Sequence, residues 1–287
     1  MNTFKRSNAT FVSLVRNEEL VSMMASMRGV EDRVNRKLGT IGVIHLYIDQ
    51  TKASEKRKEM ESNKIINGVS ESYRHMVSFF FRHPLMMQFD YYWRVEPGVE
   101  YYCDVDYDPF LFMQENKKQY GFTITLYEYK ATIESLWSTT QSFIKLNPQY
   151  LHPNSALNFI IDDLSQGING TYNLCHFWSN FEIGNMNFWR SKAYTSYFNY
   201  LDQHGGFFYE RWGDAPVHSL AAALFLPFES LHQFDDIAYR HPPFMHCPND
   251  LDRFHLNGKC FCDPNLSFDR DGYSCMKQWW RVGGEPK

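Results

Sequence analysis

The chain contains no run of about 18 consecutive apolar residues, the length a helix needs to cross a bilayer, so no segment of it reads as a membrane span. It lacks a basic surplus: 29 Lys and Arg stand against 33 Asp and Glu, a net charge of −4, which gives no electrostatic footprint for a nucleic-acid partner. No basic-then-apolar segment follows Met1, so no cleavable signal is legible there. Internal repeats and low-complexity linkers are missing as well, which excludes a solenoid or a tethered array. What remains, at 287 residues, is one large domain or two small ones with ample core.

Two things are plentiful. Aromatic residues make up 17%, which suits either an aromatic-rich core or stacking on flat ligands and sugar faces. Six cysteines occur, and Cys247, Cys260, Cys262 and Cys275 cluster in the last forty or so residues among turn formers. They read as free thiols, as a disulfide-stapled tail, or as a zinc site with His246 and His255 nearby. Zinc is the weakest of the three, because C-x-C here lacks a matching C-x-x-C or H-x-x-x-H pair. Sequons at Asn8, Asn169 and Asn265, taken with the cysteines, point to the secretory pathway and to mostly paired cysteines of unspecified connectivity.

The hydrophobic pattern alternates strands with helices. "ATFVSLV" (9–15) reads as a strand, followed by Asn17 as an N-cap and helical spacing from Leu20 to Leu38. "DYYWRVEPG" (90–98) and "FTITLYEY" (122–129) read as strands, and "TIESLWSTTQSFIKLNP" as a helix stopped at Pro148. A strand over 172–177 precedes a helix through Phe188 and Leu201 that closes at Gly205-Gly206. "DAPVHSLAAALFL" begins a helix with Asp214 at the N-cap, "LHQFDDI" is the last strand, and an irregular tail follows His241. The expected class is α/β, a sheet flanked by helices, with any ligand at the carboxyl ends of the strands. Arg16, Glu96, Glu182, Asp214 and His241 all stand near such ends.

The segments "TFVSLVRNEEL", "SYRHM", "YYWRVEP", "YCDVDYDPF", "CHFWSNFEIGNMNFWRS", "GGFFYERWGDAPVHSLAAALFLP" and "DDIAYRHPP", in this order over nearly the whole chain, closely resemble the fungal Golgi α-1,2-mannosyltransferases. These are the killer-resistance/mannosyltransferase group, glycosyltransferase family 15. The resemblance implies a GT-A type nucleotide-sugar transferase fold, with a mixed, mostly parallel sheet. It implies a luminal catalytic domain of a type II Golgi membrane protein whose anchor lies upstream of Met1. The implied reaction moves mannose from GDP-mannose to the 2-hydroxyl of an α-mannoside on a glycoprotein, with retention and with Mn²⁺. Within one domain, residues 1–110 would be mainly the nucleotide-sugar half, 111–246 mainly the acceptor and catalytic half, and 247–287 a disulfide-rich tail.

Carried over by resemblance, His241 is the direct metal ligand and Glu96 its acidic partner at the donor site. A diphosphate leaving group needs a divalent cation, and imidazole with hard oxygen suits Mn²⁺. "DVDYD" (104–108) is a competing Asp-x-Asp. Glu182 is the candidate nucleophile or electrostatic support for a retained glycosyl transfer, its plainer role being a carboxylate at a helix N-terminus. Asp214 is the candidate base on the acceptor hydroxyl, with Glu210, Arg211 and Trp212 as a polar wall around it. Tyr73 is expected at the donor site with a catalytic role on the leaving diphosphate, and Arg16 and Asn180 among the nucleotide contacts.

The chain departs from the family pattern twice: "GTIGVIHL" (39–46) replaces a longer segment that carries a further strand, and only "VS" separates "SYRHM" from "FFFRHPL". Pieces of the nucleotide half are lost, or the sequence is joined across omitted segments; the intact flanking motifs favour the second. The competing function classes are a mannan-binding, lectin-like protein on the same fold and a retaining glycosidase using two carboxylates.

Overall fold

A computed structural model describes residues 7–15, 17–34, 43–45, 77 and 79–283. Six strands, β1 (Ala9–Ser13), β2 (Val43–His45), β3 (Tyr91–Arg94), β5 (Tyr120–Phe122), β8 (Glu182–Asn185) and β9 (Leu231–Gln233), form one sheet in the order β2-β1-β3-β8-β5-β9. Two smaller sheets flank it: β4 (Glu100–Tyr101) with β10 (Tyr239–His241) and β11 (Phe244–His246), and β6 (Thr125–Tyr127) with β7 (Cys175–Phe177). In the large sheet β1, β2 and β3 are parallel, as are β5 and β9, while β8 pairs antiparallel with both β3 and β5. Strand β8 alone is reversed among the six, giving the mixed, mostly parallel sheet expected. One consequence follows directly: the start of β8 lies beside the end of β3, with Arg94 paired to Glu182.

Both sheet faces are covered, which is why β3 reads "YYWR" without polar alternation and is buried at every position. Alternate residues serve different cores. Tyr92, Tyr120 and Phe122 join the core shared with α3 (Leu136–Leu146), α4 (Lys192–His204), α5 (Asp214–Phe225) and α6 (Met276–Gly283). Tyr91, Trp93 and Ile183 join the core that takes Met23 and Val30 of α1 (Leu20–Arg33) and Phe110 of α2 (Pro109–Glu115). Helix α5 is apolar nearly all round and buried along its length, as its sequence requires of a central core helix.

Several expectations need correction. Helix α1 ends at Arg33, and Asn17 starts a short 3₁₀ turn (Asn17–Glu19) instead of capping α1. "FTITLYEY" is two strands, because the chain leaves the large sheet after Phe122 and enters the β6–β7 ribbon at Thr125. The N-cap of α5 is Gly213, and Asp214 is its first residue with its side chain committed elsewhere. "LHQFDDI" is not the last strand: β10 and β11 form a hairpin whose turn is Pro242-Pro243, so the chain reverses into a further strand where an irregular tail was expected. Within "GTIGVIHL", Val43–His45 form β2, parallel to β1 and at the edge of the sheet among the described residues. The two junctions of the chain near Leu38 and Met76 lie outside the described residues.

All six cysteines are paired, as Cys103–Cys260, Cys175–Cys275 and Cys247–Cys262. Only the last bridge lies within residues 247–287; the other two fasten that segment to the body, so it is a strap across the domain and not a separately stapled tail. Cys247, Cys262 and His255 do come together, but both sulfurs are oxidised and the His255 ring meets the Pro248 carbonyl at 2.8 Å, which removes the zinc reading.

Candidate active site

The site is a two-rung ladder between the sheet and one helix. Arg94 ends β3 and Glu182 begins β8, side by side through antiparallel pairing. Facing them, Asp214 and His218 stand four residues apart on α5, one turn above each other on the same helical face. Asp214 takes the Arg94 guanidinium and His218 takes the Glu182 carboxylate, the latter with Nδ1 at 2.8 Å from Oε2. All four side chains are out of solvent, with Glu182 and His218 0%, Asp214 3% and Arg94 6% exposed. Charges this deep persist only when paired and hydrogen-bonded.

Each rung is completed by neighbours. Asp214 also accepts from Ser179 Oγ at 2.6 Å. Burial alone raises its carboxyl, but the Arg94 charge and these hydrogen bonds outweigh that and hold it below the usual carboxylate range. Arg94 Nε donates to Glu96 Oε1 at 2.6 Å, so one guanidinium joins the deep aspartate to the shallower Glu96. Burial works against the Arg94 charge, yet Asp214, Glu96 and Glu182 together push its titration well above the ordinary value. Glu182 accepts from Tyr92 through Oε1 and from Tyr120 through Oε2 at 2.9 Å. Burial, and then the Glu182 charge, pushes both phenols far up, so they stay protonated donors.

The local sequence explains this crowding. Tyr92 and Tyr120 both register opposite Gly184, one on each neighbouring strand. A Cβ at Gly184 would lie 2.7 Å from the Tyr92 ring and 2.8 Å from Trp189 Nε1, so glycine is what lets these rings close over the strand.

His241, at the end of β10, sits apart from the ladder but on the same rim. Its Nδ1 is 2.8 Å from Asn180 Nδ2, and its ring meets Trp178 edge-on at 5.3 Å. Trp178 and Asn180 belong to the turn that leads into Glu182, so that turn links the His241 hairpin to the ladder. Burial lowers the His241 imidazole from its ordinary value, partly offset by the Glu96 charge. With the Asn180 amide nitrogen as its partner, Nδ1 of a neutral ring accepts and the proton lies on Nε2. Presenting Nε2 to a cation requires the Asn180 amide to turn so that its oxygen accepts an Nδ1 proton, while Glu96 keeps a second carboxylate oxygen besides the one Arg94 holds.

Of the residues expected from sequence, Glu182, Asp214, Glu96, Asn180 and His241 are thus brought to one rim. Glu182 is on a strand and not at a helix N-terminus, which corrects its plainer reading. Arg16 and Tyr73 lie outside the described residues. The competing "DVDYD" is spent on structure: Asp104 pairs with Arg33 at 2.8 Å, Asp106 with Lys259 at 3.2 Å, and Asp108 caps α2. Glu210 and Trp212 also serve structure. Glu210 accepts from the Ser135 backbone at the start of α3 and from Trp212 Nε1, and Trp212 packs so tightly on Gly206 that a Cβ there would sit 2.1 Å from its ring. Sequence reasoning missed Arg94, His218, Tyr92 and Tyr120. The available signals were an arginine ending a fully apolar strand and a histidine four residues beyond Asp214 in an otherwise apolar helix.

The sequence signature described as "Glycolipid 2-alpha-mannosyltransferase" matches residues 44–284. Glycolipid 2-alpha-mannosyltransferase 2 of Candida albicans is 48% identical, covering 99% of this chain and 68% of that protein. The alignment runs over 321 positions although this chain has 287 residues, so that relative carries residues this chain lacks. Among solved structures, the mannosyltransferase Ktr4p of Saccharomyces cerevisiae in complex with GDP superposes with a TM-score of 0.80 at 33% identity, over 96% of this chain and 82% of that one. Core-mannan synthase A of Aspergillus fumigatus, in an Mn/GDP form, gives 0.80 at 34% identity, over 100% and 88%. With the family signature over most of its length and a near-full-length relative at 48% identity, the chain belongs to the glycolipid 2-alpha-mannosyltransferase family.

Proposed function

We propose that this enzyme transfers mannose from GDP-mannose to the 2-hydroxyl of an α-mannoside on a glycoprotein, with retention, in mannan elongation in the Golgi lumen. The observation that carries the reading is the buried Arg94–Asp214 and Glu182–His218 ladder, opening through Glu96 toward His241 at one sheet rim. A lectin has no use for three buried carboxylate and guanidinium charges behind its binding surface. A transferase needs them where positive charge develops on a sugar and negative charge on a diphosphate. The three disulfides and the exposed sequon asparagines suit the secretory pathway.

The donor types fit Mn²⁺, an imidazole at His241 and a carboxylate at Glu96, with the Asn180 amide turned to accept the Nδ1 proton so that Nε2 is free to ligate. Bound there, the cation supplies Lewis-acid support to the diphosphate oxygens. The protein's own residues do the rest. Asp214, kept ionised by Arg94, is always available to take the proton of the acceptor hydroxyl; its lowered titration makes it a weak base, so it serves best when proton transfer accompanies bond formation. Glu182 places negative charge behind the anomeric carbon, and Trp178 and Phe181 limit water beside it.

A donor panel with methyl α-mannoside as acceptor tests this. Transfer from GDP-mannose in the presence of Mn²⁺, abolished by a chelator and restored by added metal, is the expected result. His241→Ala should lose the Mn²⁺-dependent part of GDP affinity in calorimetry. No transfer from GDP-mannose by the metal-loaded wild type would remove the reading.

A further inference from the structure

Among the described residues, Glu182 is the one carboxylate of the site with a buried donor on each of its two oxygens. Oε1 accepts from the Tyr92 hydroxyl; Oε2 accepts from the Tyr120 hydroxyl at 2.9 Å and from His218 Nδ1 at 2.8 Å. The His218 ring lies stacked on Trp189, with centroids 4.3 Å apart and planes 26° apart, so it has one orientation. Its other nitrogen, Nε2, is buried and has no hydrogen-bond partner among the described residues. A phenylalanine would fill the same space without leaving a polar atom unpaired, so packing is not what the imidazole contributes. Its one polar contact among the described residues is to Glu182.

We infer that His218 is a positioning residue which, with Tyr92 and Tyr120, fixes Glu182 as a stationary carboxylate that acts on the sugar through its charge and forms no bond to it. This rests on the function proposed above. A nucleophilic carboxylate must bring a free oxygen lone pair to within about 3–3.5 Å of the carbon it attacks. Glu182 is 0% exposed, and moving it onto a sugar carbon would draw it away from three donors that are themselves buried. A fixed charge needs no such movement, and a preorganised one is worth more in a water-poor site. In the transfer itself the C1–O bond to the diphosphate breaks, with its electron pair leaving on the phosphate oxygen. The acceptor 2-oxygen then bonds to C1 on the same face, and its proton passes to Asp214. Glu182 starts and ends as the same carboxylate.

Two substitutions separate the parts of His218. His218→Phe keeps the ring on Trp189 and loses the donor; His218→Asn loses the ring but keeps an amide nitrogen near the place of Nδ1. The expected result for Phe is a fall in kcat of about tenfold to a hundredfold, the range for one hydrogen bond to a charged group. GDP affinity by calorimetry and KM for GDP-mannose should stay within about threefold of wild type on the same scale, and Asn should recover much of kcat. A Phe variant with wild-type kcat would overturn the inference. So would equal losses in Phe and Asn, since these would track general packing. Intact-mass analysis during turnover of a 2-deoxy-2-fluoro GDP-mannose should show no sugar on the enzyme, and Glu182→Ala with azide should yield no β-mannosyl azide. A sugar adduct on Glu182 or β-azide product would show attack by that carboxylate and sink the proposal. If the wild type transfers no mannose at all, the function reading fails first, and that outcome is visible before any variant is compared.

Discussion

At the scale of single residues, the site surrounds its two carboxylates differently, and the tasks proposed for them follow from that. Asp214 is ion-paired to Arg94 and hydrogen-bonded by Ser179, whereas Glu182 is held by two phenols and an imidazole. Loss of activity in either variant alone would not tell their roles apart, so the half-reactions must be read. Asp214→Asn should spare slow hydrolysis of GDP-mannose, because water replaces the acceptor without leaning as heavily on that base. Glu182→Gln should depress hydrolysis and transfer together, because both pass through the same charged centre. Donor affinity should survive in each. Hydrolysis kept in Glu182→Gln and lost in Asp214→Asn would require the roles to be exchanged. The carboxylates themselves were legible in the sequence through the motifs around them. Their partners were not, because Arg94, Tyr92, Tyr120 and His218 meet them across separations of tens of residues that no local pattern encodes.

At the scale of elements, the β10–β11 hairpin carries His241 to the rim, and a second buried pair holds that hairpin in place. His246 Nδ1 lies 2.8 Å from Asp269 Oδ2, and Nε2 lies 3.0 Å from the Asp235 carbonyl. Burial opposes the charge on His246, but the Asp269 carboxylate and these hydrogen bonds raise it from 6.5 to about 9. Folded protein therefore holds this proton more tightly than unfolded protein does. The resulting stability is fully present below about pH 6.5 and is lost as the pH rises through about 9, amounting to about 3 kcal/mol for a shift of this size. Urea unfolding of the oxidised protein at pH 6 and pH 10 should show that fall. His246→Asn should be less stable at pH 6 and should flatten the difference; an unchanged pH slope in the variant would assign it to other groups. The sequence marks His246 only as one of several histidines near cysteines. Asp269 reaches it from 23 residues downstream.

At the scale of the whole molecule, the C-terminal strap is bound to the body by bridges of very different span. Cys103–Cys260 closes 157 residues, Cys175–Cys275 closes 100 and Cys247–Cys262 closes 15. If the bridges act by restricting the unfolded chain, a loop of about 100 residues contributes roughly 4–5 kcal/mol and one of about 15 roughly 3 kcal/mol. Replacing Cys175 and Cys275 with serine should therefore lower the denaturation midpoint more than replacing Cys247 and Cys262, and serine at Cys103 and Cys260 should cost at least as much. The Cys175–Cys275 pair also anchors β7, which packs on α5, so its loss should loosen the site helix before the rest. The reverse order of midpoints would show that strain or residual unfolded structure, and not loop length, sets the contributions.

The sequence by itself determined the class of fold, the family, the pairing of the cysteines in kind, and the carboxylates and histidine that the fold gathers at one site. Those are local properties: strand and helix periodicity, Pro and Gly punctuation, and long aromatic motifs read along the chain. Tertiary structure alone decided the reversed direction of β8, which sets Arg94 beside Glu182, and the rotation of α5, which turns Asp214 and His218 onto them. It also decided which cysteine meets which, and that Asp104, Asp106 and Asp108 are taken up by an ion pair to Arg33, an ion pair to Lys259 and a helix cap. Each of these depends on contacts between segments far apart in the chain, where the free energy of packing and of buried charge pairing, and no property of the nearby residues, selects the partner.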